Sequence, residues 1–177
     1  MKNLFKIEDI QELPSAIEKI LFSGEKEDVF FNMLDVHDCN LSYDWFQNIY
    51  EEELAQRNQN KQDFTPNSVG VLLSHLTGFE KGKIYEPTAG NGSLIIANWN
   101  FRKNMLGSDF NPEDHPVECW ELSNRSIPIL LFNLSIRGIV GEVYHGDVLT
   151  KNVKAKYVLS RKGKFSEILK LTHYDTK

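Results

Sequence analysis

Apolar residues recur at helical spacing through the first 60 residues of the chain. In "EDIQELPSAIEKILF", residues 8–22, the period predicts a short helix and then a second one that begins near Pro14, because proline is well accommodated in a first helical turn. The stretches "DVFFNMLDV" at 28–36 and "SYDWFQNIYEEELAQR" at 42–57 carry the same period. We therefore predict an all-helical segment over residues 1–60.

The pattern changes after the polar, turn-forming stretch "NQNKQDFTPNSVG". From there the predicted helices are "SVGVLLSHLTG", "GSLIIANWNFR" and "SNRSIPILLFNLSIRG", and the predicted strands are "GKIYE", "VECWEL", "GEVYHGDVL" and "AKYVLS". Strands and helices in this alternation are typical of a parallel, doubly wound α/β sheet that binds its ligand at the carboxyl ends of the strands. We predict such a domain over residues 61–177, with a sheet that ends after about its fourth strand.

Composition narrows the class of protein. A chain of 177 residues with 41% hydrophobic residues suffices for one ordinary core. Cys39 and Cys119 form no CxxC pair, and no histidine cluster has metal-ligand spacing, so we predict neither a disulfide framework nor a metal site. No leader-like apolar region opens the sequence and no run approaches the roughly 18 apolar residues of a membrane span, so we expect a soluble, cytoplasmic protein.

Charge is distributed unevenly along the chain. The net charge is -5, yet residues 151–177 hold eight basic residues against two acids. A basic stretch on an acidic body could contact phosphates, such as those of DNA, through that stretch. The alternative interpretation is an ordinary solvated surface.

The run "IYEPTAGNGSLII", residues 84–96, is the strongest candidate for a ligand site. Gly90 and Gly92 permit positive φ and close backbone approach where a strand passes into a helix. The spacing matches neither the dinucleotide GxGxxG pattern nor the phosphate loop. Glu86 would repel a phosphate and would suit an ammonium group. S-adenosylmethionine carries an α-ammonium, a cationic sulfur and a ribose, so it is the cofactor that we predict.

Two further acids stand at the ends of predicted strands. Glu121 ends the second strand and is placed to bind ribose hydroxyls, and Asp147 ends the third and could accept from an adenine amino group. A helix cap or a loop acid is the alternative interpretation for either residue alone. His145, two residues before Asp147, could form an acid–base pair with it, although a plain strand histidine is the simpler interpretation.

With these motifs in the order "DFTPNSVGVLLSHL", "IYEPTAGNGSLII", "ELSNRSIPILLFNLSIRGI" and "YHGDVL", residues 61 to about 150 resemble the N6-adenine DNA methyltransferases. The likeness is greatest to the modification subunit of type I restriction systems and its short phage or mobile-element relatives. The resemblance implies an S-adenosylmethionine-dependent, Rossmann-like methyltransferase fold. It also implies that the following residues bind the cofactor: Phe64, Thr65, Pro66, Glu86, Pro87, Thr88, Ala89, Gly90, Asn91, Gly92, Glu121, Leu122, Asp147 and Val148.

One element of the family's pattern is missing. These enzymes hold an extruded adenine with an [NDS]PP[YFW] tetrapeptide at the end of the fourth strand. Here "AKYVLS" is followed by "RKGKF", and the sequence contains no Pro-Pro pair. Ser160 and Phe165 are the nearest counterparts of the polar and aromatic positions. We therefore predict no catalytic residue, and expect a methyltransferase-like protein that is incomplete on its own.

Three functions stay open at this point. The first is a reduced or split DNA adenine methyltransferase of restriction-modification type. The second is an inactive cofactor-binding protein, or a partner of a methyltransferase, that acts as a decoy or regulator. The third is a small-molecule methyltransferase. An exposed fourth strand would be covered by the N-terminal helices, by a protein partner such as another methyltransferase or a restriction subunit, or by self-association that completes the sheet. Trp45, Phe46 and Tyr50 either take part in such a contact or pack in the core.

Overall fold

The computed structural model describes residues 2–50 and 65–171. Its helices are α1 Lys2–Phe5, α2 Leu13–Leu21, α3 Lys26–Val36, α4 Gln47–Ile49, α5 Asn67–Thr77, α6 Ser93–Leu106 and α7 Ser126–Ile136. Short 3-10 turns span Ile10–Glu12, Gly107–Asp109 and Pro112–Asp114. Its strands are β1 Ile84–Glu86, β2 Val117–Glu121, β3 Gly141–Asp147, β4 Asn152–Lys162 and β5 Phe165–Leu171.

Two of the N-terminal helices, α2 and α3, form where the apolar period predicts them. α2 has proline in its first turn and buries Leu13, Ile17 and Leu21, so the predicted second helix is confirmed. The predicted helix at 42–57 is helical only from Gln47 onward within the described residues, and 51–57 lie outside them. The residues before Gln47 form turns instead of helix.

Trp45, Phe46 and Tyr50 pack in the core. Each is at most 5% exposed, which favours the core interpretation over a partner contact for these three side chains. The ring of Phe46 meets that of Phe132 on α7 edge-on, with 5.3 Å between ring centroids. The buried apolar side chains of the N-terminal helices, α7 and the sheet form one continuous cluster. The helical segment is therefore a layer of the same core.

The sheet has the order β1-β2-β3-β4-β5. The first three strands are parallel, with Ile84 opposite Val117 and Val117 opposite Gly141. β4 then turns back antiparallel to β3, and β5 pairs antiparallel with β4. The prediction of a mixed α/β fold is confirmed, but an all-parallel sheet that ends after the fourth strand is wrong, because β4 and β5 form a hairpin.

The hairpin also corrects the expected position of the fourth strand. β4 lies between two partners, and its register runs from Lys156 opposite Leu171 to Lys162 opposite Phe165. It is therefore not an exposed edge. Among the described strands the edges of the sheet are β1 and β5.

Both crossover helices lie on one face of the sheet. Right-handed crossovers between strands that advance in one direction place α6 and α7 on the same side. A Cβ on Gly92, just before α6, would stand 2.9 Å from Leu130 Cδ1 of α7, which shows how closely the two helices approach. The doubly wound arrangement is therefore wrong for the described residues. α7 is buried along its whole length, as expected of a helix packed on every side.

α5 turns its small residues inward and its aliphatic residues outward. Gly70 approaches α6 so closely that an added Cβ would lie 2.8 Å from Ala97 Cβ, and Ser74 is buried. The opposite face exposes four aliphatic side chains at helical spacing, here called the α5 stripe: Val69, Leu72, Leu73 and Leu76. None of the described helices is both long enough and apolar enough to cross a membrane.

Candidate functional site

The glycine loop joins β1 to α6 at the carboxyl end of the sheet. Gly90 has φ 56° and Gly92 φ 94°, so both adopt the left-handed region that glycine tolerates best. The loop is held to the neighbouring strand because Ala89 N–H donates to the carbonyl of Trp120 at 2.8 Å. The first turn of α6 therefore opens toward the space above β2.

Glu121 connects the end of β2 to this loop. Its Oε2 accepts from the backbone N–H of Gly90 at 2.7 Å, and its Oε1 accepts from that of Ser123 at 2.7 Å. The side chain is buried, and burial raises the pKa of the Glu121 carboxyl while these backbone bonds oppose the rise. Glu121 thus presents a fixed, desolvated carboxyl group between the glycine loop and the start of α7.

Asp147 ends β3 and has a different environment. Its Oδ1 accepts from the backbone N–H groups of Leu149 at 2.8 Å and Thr150 at 3.4 Å, and these bonds lower the pKa of the Asp147 carboxyl. The strand register shifts between His145 and Gly146, and the bonds of Asp147 go to the turn that follows. Asp147 therefore ends its strand as an ionised acid at the mouth of the site.

Glu86 ends β1 at the start of the glycine loop, as predicted. Its Oε1 accepts from the backbone N–H of Thr88 at 3.1 Å, so the carboxylate closes the turn that begins the glycine loop. It is not among the residues that line the cavity described next. That Glu86 binds an ammonium group stays a prediction.

A cavity of about 900 Å³ lies between the three strand ends. Most predicted cofactor-binding residues line it: Thr65, Pro87, Thr88, Ala89, Gly90, Asn91, Glu121, Leu122, Asp147 and Val148. Pro66, Glu86 and Gly92 are not on its wall, and Phe64 lies outside the described residues. That these residues bind a cofactor stays a prediction, but the structure brings ten of them to one cavity.

Other residues of the wall escaped the sequence reasoning. They are Ser93, Leu94, Ser123, Asn124, Arg125, Ser126, Gly146, Leu149 and Lys154. Several of them are sequence neighbours of a predicted residue, so their position next to a motif could have identified them. Lys154 lies next to no motif in the sequence, and it reaches the cavity only because β4 returns antiparallel to β3.

Two apolar side chains stand open at the mouth of the cavity. Leu122 is 57% exposed and Leu149 is 90% exposed, and each follows shortly after a strand-end acid. Exposed leucines beside polar acids suit a ligand with a flat apolar part and polar edges.

The nearest counterparts of the missing tetrapeptide lie elsewhere. Because β4 is antiparallel to β3, its carboxyl end lies beside Gly141 at the start of β3, at the end of the sheet opposite Asp147. Ser160 is exposed there, and Phe165 is buried against Phe30, with 5.0 Å between ring centroids. Neither is placed to act on a ligand in the cavity.

Several basic residues of the C-terminal stretch have acidic or carbonyl partners within the described part. Lys154 Nζ lies 3.4 Å from the carbonyl oxygen of Leu122 at the cavity. Three others form ion pairs: Lys156 with Glu142, Lys162 with Glu167 and Lys170 with Glu18. The positive charges of these three lysines are therefore each compensated by a carboxylate.

These features define an α/β protein with a ligand cavity at the carboxyl ends of parallel strands, built from a glycine loop and strand-end acids. The chain belongs to the N-6 DNA methylase family, whose sequence model matches residues 41–177. The resemblance to N6-adenine DNA methyltransferases is thereby confirmed. Comparison with curated proteins finds no match.

Proposed function

We propose that this chain binds S-adenosylmethionine in the cavity and serves as an adenine-N6 methyltransferase-like component of a restriction-modification system. The observation that carries the proposal is the bond from Gly90 N–H to the buried Glu121 carboxyl. It joins the two features, glycine loop and second-strand acid, that a nucleoside-type ligand requires together.

The residues present fit this cofactor. Glu121 is available to accept from ribose hydroxyls, and Leu122 and Leu149 offer apolar contact to a purine ring. Asn91, between the two glycines of the loop, is buried and lines the cavity. The cofactor would supply an electrophilic methyl group. The role of the chain is to bind it, to orient it and to shield it from water.

The experiment is a calorimetric titration with S-adenosylmethionine and its demethylated product. Binding by either compound supports the proposal, and at a hundred times the dissociation constant it should stabilise the fold by about 2.7 kcal/mol. If neither binds, and neither raises the melting temperature, the cavity has another ligand and the proposal fails.

A second candidate function is a non-catalytic partner of a methyltransferase. It is favoured by the antiparallel hairpin, which carries Ser160 and Phe165 away from the cavity, and by the lack of a Pro-Pro pair in this sequence. Transfer of a labelled methyl group to adenine-containing DNA by the purified chain would contradict it. Co-purification with a methyltransferase or restriction subunit, without transfer by the chain alone, would favour it.

A further inference from the structure

A buried cluster of polar side chains, Asp44, Asn133 and Arg137, lies against the glycine loop, and none of the three lines the cavity. Its centre is Asp44, which belongs to the turn before α4 and is 5% exposed. Asp44 Oδ1 accepts from the backbone N–H of Phe46 at 2.9 Å and from the side-chain amide of Asn133 at 2.8 Å. A buried carboxylate needs such partners, because burial disfavours its charged form and raises the pKa of Asp44.

The cluster touches the loop at two points. The Asn133 Nδ2 that bonds Asp44 also donates to the carbonyl of Asn91 at 2.9 Å. Ser93 Oγ, in the first turn of α6, donates to Asp44 Oδ2 at 3.4 Å. Asn133 is completely buried on α7, so it links a fixed helix to the centre of the loop.

Arg137 fixes the other side of the cluster. Its Nη1 donates to Asn133 Oδ1 at 3.1 Å, and its Nε and Nη2 donate to the carbonyls of Leu41 at 2.9 Å and Tyr43 at 2.6 Å. Burial lowers the pKa of Arg137 to about 10, opposed by the charge of Asp44. The segment 41–46, α7 and the glycine loop therefore share one hydrogen-bonded network.

We infer that Asp44 and Asn133 are positioning residues of the cofactor site, which hold the glycine loop at Asn91 and Ser93 in the shape that accepts the ligand. The inference rests on the proposed function, since it concerns the same cavity. Neither residue lines that cavity, so each acts through the loop. The helical N-terminal segment thereby contributes Asp44 to the binding machinery.

The test compares Asn133→Ala with Ser135→Ala. Both positions are completely buried polar residues of α7, but the Ser135 hydroxyl donates to the carbonyl of Ser166 on β5, away from the loop. Both variants lose a buried hydrogen bond, so both lower the melting temperature. Only Asn133→Ala should also loosen the loop. Asp44→Asn is the second variant, in case Asn133→Ala fails to fold.

Two quantities are measured on each folded variant. The first is the rate of amide hydrogen exchange of residues 90–93 without ligand, and the second is the dissociation constant for S-adenosylhomocysteine, the demethylated product of S-adenosylmethionine. We expect about tenfold faster exchange and about tenfold weaker binding for Asn133→Ala and Asp44→Asn, and neither change for Ser135→Ala. If the wild-type chain binds and both variants bind equally well, this inference is wrong and the proposed function stands. If the wild-type chain binds no cofactor, the proposed function fails.

Discussion

Replacing Glu121 by glutamine is the sharpest single perturbation of the candidate site. The substitution keeps the shape of the side chain and removes its charge. The carboxylate accepts two backbone N–H groups, from Gly90 and Ser123, both at 2.7 Å. A glutamine can accept only one of them, because its second terminal atom is itself a donor. One backbone N–H is thus left facing another donor in a buried place.

The expected cost follows from these bonds. Leaving a buried donor unsatisfied costs about 1–3 kcal/mol, and relief of the desolvated charge offsets part of it. Before that offset, a cost of this size corresponds for a chain of this length to a drop in melting temperature of about 2–12 °C. Loss of charge-assisted bonds to ribose hydroxyls should in addition weaken cofactor binding by about 10- to 100-fold.

Thermal unfolding and calorimetric titration with S-adenosylmethionine measure the two effects. Glu118→Gln is the matched control, because Glu118 lies on the same strand and points to the opposite face, where it pairs with Lys83. That pair is largely exposed on the lysine side, so its loss should change stability by less than about 1 kcal/mol and leave the affinity unchanged. If Glu121→Gln melts and binds like the wild type, Glu121 neither holds the loop nor contacts the ligand.

Three other outcomes follow from the structure. Gly92→Ala should lower the free energy of unfolding by about 1–3 kcal/mol, because φ is 94° and the new Cβ would lie 2.9 Å from Leu130 Cδ1. Denaturant unfolding measures this change, and Gly24→Ala, where a Cβ meets nothing within 4 Å, is the control. Phe132→Ala should cost about 3–5 kcal/mol in the same assay, since Phe132 is completely buried among three aromatic rings. Burial raises the pKa of Glu121 in the folded state. Its contribution to the free energy of unfolding should therefore fall as the pH rises from about 4.3, the pKa in the unfolded chain, through the folded pKa, and cofactor affinity should rise over the same range. Glu121→Gln should show neither pH dependence.

The sequence allowed the parallel half of the fold and most of the cavity wall to be predicted. The strands at 84–86, 117–121 and 141–147 are short, each ends in an acid, and helices separate them. Such local signals are sufficient because crossover geometry leaves few arrangements for strands joined by helices. The cavity follows from that topology, since the ends of parallel strands meet at one edge.

The hairpin was missed although a signal was present. The alternating stretches of β4 and β5 are separated by two residues, Gly163 and Lys164, and Gly163 has φ 63°. Such spacing is typical of an antiparallel hairpin.

The Asp44 network had no sequence signal of this kind. Asp44 and Asn133 are 89 positions apart, and they meet only because α7 passes beneath the glycine loop. An aspartate in a polar, turn-forming stretch ordinarily predicts a cap or a solvated loop. Long-range polar contacts depend on tertiary packing, which the spacing of residues along one segment does not report.

The outward face of α5 has a consequence for how the protein behaves in concentrated solution. At low ionic strength the net charge of -5 keeps molecules apart, and salt screens that repulsion. Sulfate also strengthens contact between apolar surfaces, and Leu72 and Leu76, which are 59% and 74% exposed, are two of the apolar side chains that one molecule presents to another. Solubility should therefore decrease with added ammonium sulfate, and Leu76→Lys should raise the concentration at which the protein precipitates.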